Sequence, residues 1–365
     1  MSQNASIPFT LQKCNMKIFN YSLLLLSVSI LHLNSCSQEE DTGVWLIPET
    51  DVFDGGPGKD GIPSVDVPDF SPVNDIQFLE DEDLVIAVKV NDEIKAYPHP
   101  ILDWHEIVND RVDGKPLAIT YCPLTGTGIG WERDLGDGEV SAFGVSGLLY
   151  NTNLIPYDRR SDSNWSQMQL RSVNGQRAGQ RIVTHPVVET SWQTFKALYP
   201  DALVMNTNTN FNRNYQEYPY GDYRTNDDLI LFPIDHPDDR LPAKDRGLGI
   251  LINESSKFYP LTLFASARAI VDQFVGQDLL VIGSQSDNYI VAFEQQLPDG
   301  TTITPAAIAP STTTAVMVDT EGNEWNLFGE AISGPRTGAQ LTSVESYIGF
   351  WFAWATFYPN LEIAN

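Results

Sequence analysis

An imidazole, a carboxylate and a thiol fall within a short stretch at His105, Glu106 and Cys122, and a guanidinium follows at Arg159. Thiolate plus imidazole suits soft or borderline metals, so His105 and Cys122 are candidate ligands for copper or zinc. Without a metal, the same groups offer acid–base or nucleophilic chemistry, with Cys122 or Glu106 acting and His105 as base. Arg159 would suit an anionic ligand or a carboxylate clamp; its plainer reading is a surface salt bridge.

The elements that must position these groups are short. Apolar residues Ile101, Trp104 and Val108 share helical spacing with His105, which predicts a helix over Pro100–Asn109 with His105 on its inward face. Burial there would hold the imidazole neutral and require partners for both ring nitrogens. Glu106 would lie beside that face. Cys122 ends an apolar run, Leu117–Tyr121, read as a strand, and opens the glycine-bearing turn Pro123-Leu124-Thr125-Gly126-Thr127-Gly128. A second strand is expected at Leu84–Val88 and a second helix at Ser191–Leu198. His99, His185 and His236 stand alone and read as loop residues. Neither a nucleophile elbow nor a dinucleotide fingerprint is present, because the glycine spacings at 144–147 and 126–130 do not fit.

An internal repeat organises the chain. Tyr97-Pro98 recurs as Tyr259-Pro260, Asp110 as Asp272 and Gly114 as Gly276, each 162 positions on; Trp165 matches Trp325, and Tyr199-Pro200 matches Tyr358-Pro359. This predicts an α+β, strand-rich domain built from two duplicated halves, 76–205 and 246–365, joined by a crossover at 206–245. The second half then serves as a control. It places Ala267 where the first has His105, Arg268 for Glu106 and Ser284 for Cys122, so packing alone does not demand the polar set. Asp158 has a counterpart in Asp319, which marks it as structural, whereas Arg159 meets Thr320.

A formal net charge of −26, from 48 acidic against 22 basic residues, repels polyanions and argues against a nucleic-acid partner. From Met16, the better start, a basic residue and an apolar run lead to Leu33-Asn34-Ser35-Cys36, which resembles a bacterial lipobox. The resemblance implies cleavage before Cys36, lipidation of its thiol, and residence in the bacterial cell envelope on the periplasmic or outer-surface side. Residues 37–75, rich in Asp, Gly and Pro, read as a flexible tether. With Cys14 removed and Cys36 lipidated, Cys122 is the one free thiol of the mature chain.

Taken together, WHEIVND, ITYCPLTGTGIGWER, FGVSGLLYNTNLIPYDRRSDSNWSQ and SWQTFKALYPDALV resemble the bacterial family catalogued as domain of unknown function 3179, over roughly residues 76–365. The resemblance implies that His105, Glu106 and Cys122 act as partners. Members commonly carry Cys-Pro-Leu-Cys where this chain has Cys122-Pro123-Leu124-Thr125, so a two-cysteine redox cycle is not expected. Three readings follow: a copper or zinc site, a metal-free enzyme for a small or envelope-derived substrate, and a non-catalytic lipoprotein binding a ligand or envelope protein between its halves.

Overall fold

β-Branched and aromatic runs, broken at short intervals by Gly, Asn and Asp, dictate a chain dominated by short strands. The computed structural model describes residues 43–309 and 314–365, and bears this out with six sheets and few helices among those residues. The calls on Met16, Cys36 and the start of the tether lie outside them. No helix among the described residues is long and apolar enough to cross a membrane.

Strand Leu84–Val90 pairs with Glu93–Pro98 and with Val188–Ser191, and Leu203–Met205 joins Glu93–Pro98 in parallel. The later sheet has the corresponding order: Arg246–Ile252 pairs with Ser255–Pro260 and Ser346–Phe350, and Glu362–Ile363 joins in parallel. Two three-stranded meanders follow the same arithmetic. Ile107–Val112, Lys115–Cys122 and Thr127–Glu132 form one; Arg268–Phe274, Gln277–Ser284 and Tyr289–Glu294 form the other. Their first hairpins turn at Asp113-Gly114 and Val275-Gly276, all four residues at positive φ, which matches the twist of a tight hairpin.

Buried polar anchors recur as well. The Tyr97 hydroxyl donates to Asp110 at 2.7 Å, and Tyr259 to Asp272 at 2.6 Å. The indole N–H of Trp165 donates to Asp158 at 3.1 Å, and that of Trp325 to Asp319 at 2.9 Å. Cross-contacts are reciprocal: the Ser191 N–H donates to the Asp287 carbonyl, and the Phe350 N–H to the Thr125 carbonyl. The turn after Cys122 is thereby fastened to the entry of helix α3 (Trp351–Phe357), as its counterpart is to helix α2 (Trp192–Leu198).

Two expectations are corrected. The predicted helix over Pro100–Asn109 is helix α1, His99–His105, and stops earlier. At Glu106 the backbone reverses with φ 57°, and Val108 and Asn109 belong to the strand Ile107–Val112, whose β-branched residues pair with Thr120 to Lys115. Residues 43–75 are not a free tether. Val52–Asp54 pairs with Phe143–Tyr150, Phe70–Pro72 pairs with Leu203–Met205, and Val65 is buried beside Val108. Their Pro and Gly content shapes turns between edge strands, because isolated apolar residues such as Ile47, Val65 and Val73 still gain by burial.

Asp158 also accepts from the Ser161 N–H and hydroxyl, and it is fully buried. Asp158→Ala would strand these donors and the Trp165 indole. A loss of roughly 2–4 kcal/mol is expected in urea unfolding of a chain starting at Ser37; Asp319→Ala should behave alike, and near-neutral values would contradict the anchoring role.

Candidate functional site

Glu106 occupies the reversal between α1 and the strand that follows. Its N–H donates to the Leu102 carbonyl at 2.8 Å and its carbonyl accepts from the Tyr121 N–H at 2.7 Å, so both backbone groups are fixed. A non-glycine residue at positive φ is strained and persists only where its surroundings over-determine it. The side chain is 7% exposed, and among the described residues it has no hydrogen-bonding or ion-pairing partner. Burial alone pushes its carboxyl up to about 8, so near neutral pH Glu106 is mostly the protonated, uncharged acid.

This carboxyl faces a cavity of about 370 Å³ whose wall is largely apolar, including Ile62, Leu124, Val145, Leu154, Tyr220 and Phe232. Such a cavity is of the size and character of a small-molecule site. Pro57 and Ile62, from the segment expected to be a tether, form part of the wall.

Cys122 ends its strand as expected and is 1% exposed. Its sulfur lies 3.8 Å from the Thr152 carbonyl. Burial, then the neighbouring Glu106 carboxyl, push the thiol up to about 11, so it is protonated and a weak nucleophile. Thr125 adjoins it within a buried polar cluster. The Thr125 and Thr127 hydroxyls are 2.8 Å apart, the Asn153 amide donates to Thr125 at 2.9 Å, and Thr127 donates to the Gln167 carbonyl oxygen at 2.7 Å. These bonds brace the turn.

His105 is fully buried on the inward face of α1, as its spacing indicated. Its Nδ1 is 2.7 Å from the Pro63 carbonyl and its Nε2 is 2.7 Å from the Tyr215 hydroxyl. Burial foremost, with Arg213 contributing, lowers its pKa, so the ring is neutral. Both nitrogens are engaged elsewhere, and neither is directed at Cys122. The candidate ligand pair for copper or zinc is therefore not assembled by the side chains seen here, and among the described residues no group of three or more His, Cys, Asp or Glu is placed to hold a metal ion. Arg159 lies in a different neighbourhood. Its guanidinium pairs with Asp66 and bonds Ser64 at 2.8 Å, with Asp60 at 3.5 Å, beside Tyr157 on the surface. It is the surface salt bridge of the plainer reading.

Glu106 and Cys122 are thus brought together, whereas His105 buttresses the site from behind and Arg159 stands apart. Over it runs the segment 206–245. Tyr215 holds His105, the Trp104 indole donates to the Glu217 carbonyl at 3.0 Å, Tyr223 donates to the Leu124 carbonyl at 2.9 Å, and Phe232 accepts from Thr152 at 2.8 Å.

A match to a family of bacterial sequences corresponds to these motifs. The model described as "protein of unknown function (DUF3179)" matches residues 59–361. The chain belongs to that family. Its extent takes in the Pro63 carbonyl that holds His105 and the strands that frame Glu106, so the DUF3179 domain begins earlier than the repeat alone indicated. No curated protein and no solved structure matches the chain.

Several residues escaped the sequence reading. His99, expected in a loop, is the first residue of α1, 3% exposed, with Nε2 3.5 Å from Glu189 Oε2 and its ring 4.3 Å from that of Tyr121. Glu189 is ion-paired with Arg246, and Asp103 with Arg224. The repeat carried a usable signal: 162 positions on, His99 meets Leu261 and Asp103 meets Ala265. Tyr215, Tyr218, Tyr220 and Tyr223 were visible as a tyrosine-dense run without any indication of what they cover.

A raised carboxyl pKa gives stability that is complete below the unfolded value near 4.5 and is lost as pH rises through about 8. Glu106→Gln removes that loss. Its melting temperature relative to wild type should climb from pH 4.5 to 8 and level off above; a pH-independent difference would show that Glu106 ionises freely.

Proposed function

We propose that this DUF3179 protein is an exported, lipid-anchored envelope protein whose first half holds a small-molecule site, with Glu106 as its neutral acid. The observation that carries the reading is an unpartnered buried carboxyl, held at a strained reversal, facing an apolar cavity of about 370 Å³. Strain and an unpaired ionisable group are costly to a fold, and they concentrate where a ligand supplies the missing contact.

A neutral carboxylic acid donates one hydrogen bond and accepts others. It therefore selects a ligand with an apolar body and a hydrogen-bond acceptor such as a carbonyl, amide or ester oxygen. Donation to that oxygen withdraws electron density from the adjoining carbon, and transfer of the proton makes Glu106 a general acid. Dry walls strengthen both effects. The protonated Cys122 serves as packing beside the acid, and the neutral His105 positions the C-terminal end of α1 through Pro63 and Tyr215.

The matching strand orders and repeated Tyr–Asp and Trp–Asp anchors support an origin by duplication, with the second half keeping the scaffold and losing the polar set. The lipobox-like sequence supports the anchor at Cys36.

Two measurements test the reading. Octanamide, which has an apolar chain and an amide acceptor, should bind the chain starting at Ser37, with affinity falling above about pH 8 in wild type and flat in Glu106→Gln; absence of binding, or the same pH profile in both, would reject the acid. For the anchor, metabolic incorporation of an alkyne-tagged palmitate into the full chain should vanish in Cys36→Ser, and equal labelling of both would remove the lipoprotein assignment.

A further inference from the structure

A second cavity, of about 360 Å³, is lined in part by Pro100 and Asp103 of α1 and shares no lining residue with the Glu106 cavity. Four carboxylates line it, Glu80, Asp83, Asp103 and Glu217, against one basic residue, Arg224; Phe78, Tyr215 and Tyr218 give aromatic walls. Glu80 and Glu217 are exposed at the rim, whereas Asp103 is 4% exposed.

Asp103 is half-satisfied. Its Oδ2 accepts from Arg224 Nη2 at 3.1 Å, and its Oδ1 is buried with no hydrogen-bond partner. One turn earlier on the same face of α1, His99 Nε2 is buried with only a 3.5 Å contact to Glu189 Oε2. Buried carboxylate oxygens are ordinarily paired, so an unpaired one on a residue that lines a cavity points to an external donor. Arg224 shows what the surroundings accept. Its guanidinium stacks 3.6 Å from the Tyr218 ring centre while bonding Asp103, which is cation–π contact and charge-assisted hydrogen bonding on one pair of residues.

We propose that this cavity is a binding site for an organic cation, an alkylguanidinium or alkylammonium, whose N–H groups bond Asp103 Oδ1 while its alkyl part lies along Phe78, Tyr215 and Tyr218. The surplus of carboxylates favours entry of cations and disfavours anions. The site is separate from the Glu106 cavity and stands whether or not the acid reading holds.

Isothermal titration of the chain starting at Ser37 with butylguanidinium chloride at pH 7.5 is the test, with sodium butyrate as the anionic counterpart. Butylguanidinium should bind and butyrate should not. Asp103→Asn should weaken butylguanidinium by about tenfold or more, as expected for loss of a charge-assisted pair. Glu217→Gln, altered only at the exposed rim, should weaken it about two- to threefold at low salt and progressively less as salt is added. Retention of a cooperative thermal transition by Asp103→Asn attributes its weakening to the site; should that variant not fold, the Glu217→Gln salt series decides. No butylguanidinium binding, butyrate binding of equal strength, unchanged affinity in a folded Asp103→Asn, or a salt-insensitive Glu217→Gln would each overturn the proposal.

Discussion

The reversal at Glu106 is the constraint on which the candidate site depends. Helix α1 ends there because the backbone enters the left-handed region, with its N–H and carbonyl spent on Leu102 and Tyr121. The turn passes the chain from α1, which follows the sheet of Leu84–Val90, to the meander of Ile107–Val112 in a single residue. It also aims a carboxyl into an apolar cavity, where burial keeps the proton on. Conformational strain and desolvation thus fall on one residue, and both are offset by the packing of the two sheets it joins.

Around that point the polar residues divide into two sorts. Asp110, Asp158, Asp272 and Asp319 accept hydrogen bonds from buried Tyr or Trp and are fully used in holding strands together. The Glu106 carboxyl faces its cavity instead, and one oxygen of Asp103 is buried without a partner. The first sort recurs in both halves of the chain; the second occurs once. Residue burial alone does not separate them, since Asp158 and Asp319 are as buried as Asp103 and Glu106. Satisfaction of their hydrogen-bonding capacity does.

The segment 206–245 builds one wall of each of the two open cavities. Its tyrosines supply hydroxyls that reach back to His105 and Leu124, and ring faces that wall both cavities. His105 shows the consequence. With Pro63 on one nitrogen and Tyr215 on the other, it ties the segments before and after the first half to α1, a positioning task that depends on its two nitrogens and not on a change of charge.

The sequence by itself determined the strand-rich character, the repeat spacing, helix α2, the inward face of His105 and the placement of Cys122 at a strand end, because periodicity and turn residues are local properties. It also singled out Glu106 by contrast with Arg268. It did not determine where α1 stops, since Ile101, Trp104, His105 and Val108 satisfy a helical period whether or not the chain reverses at Glu106. Nor did it show that Gly43 to Asp75 packs on the domain, because edge strands carry too few apolar residues to signal burial. Only the tertiary structure decided that His105 turns to Pro63 and Tyr215, that Arg159 sits with Asp66, and that Asp103 keeps an oxygen open. Those outcomes depend on which distant segments fill the remaining hydrogen-bonding positions, and distant partners leave no trace in local spacing.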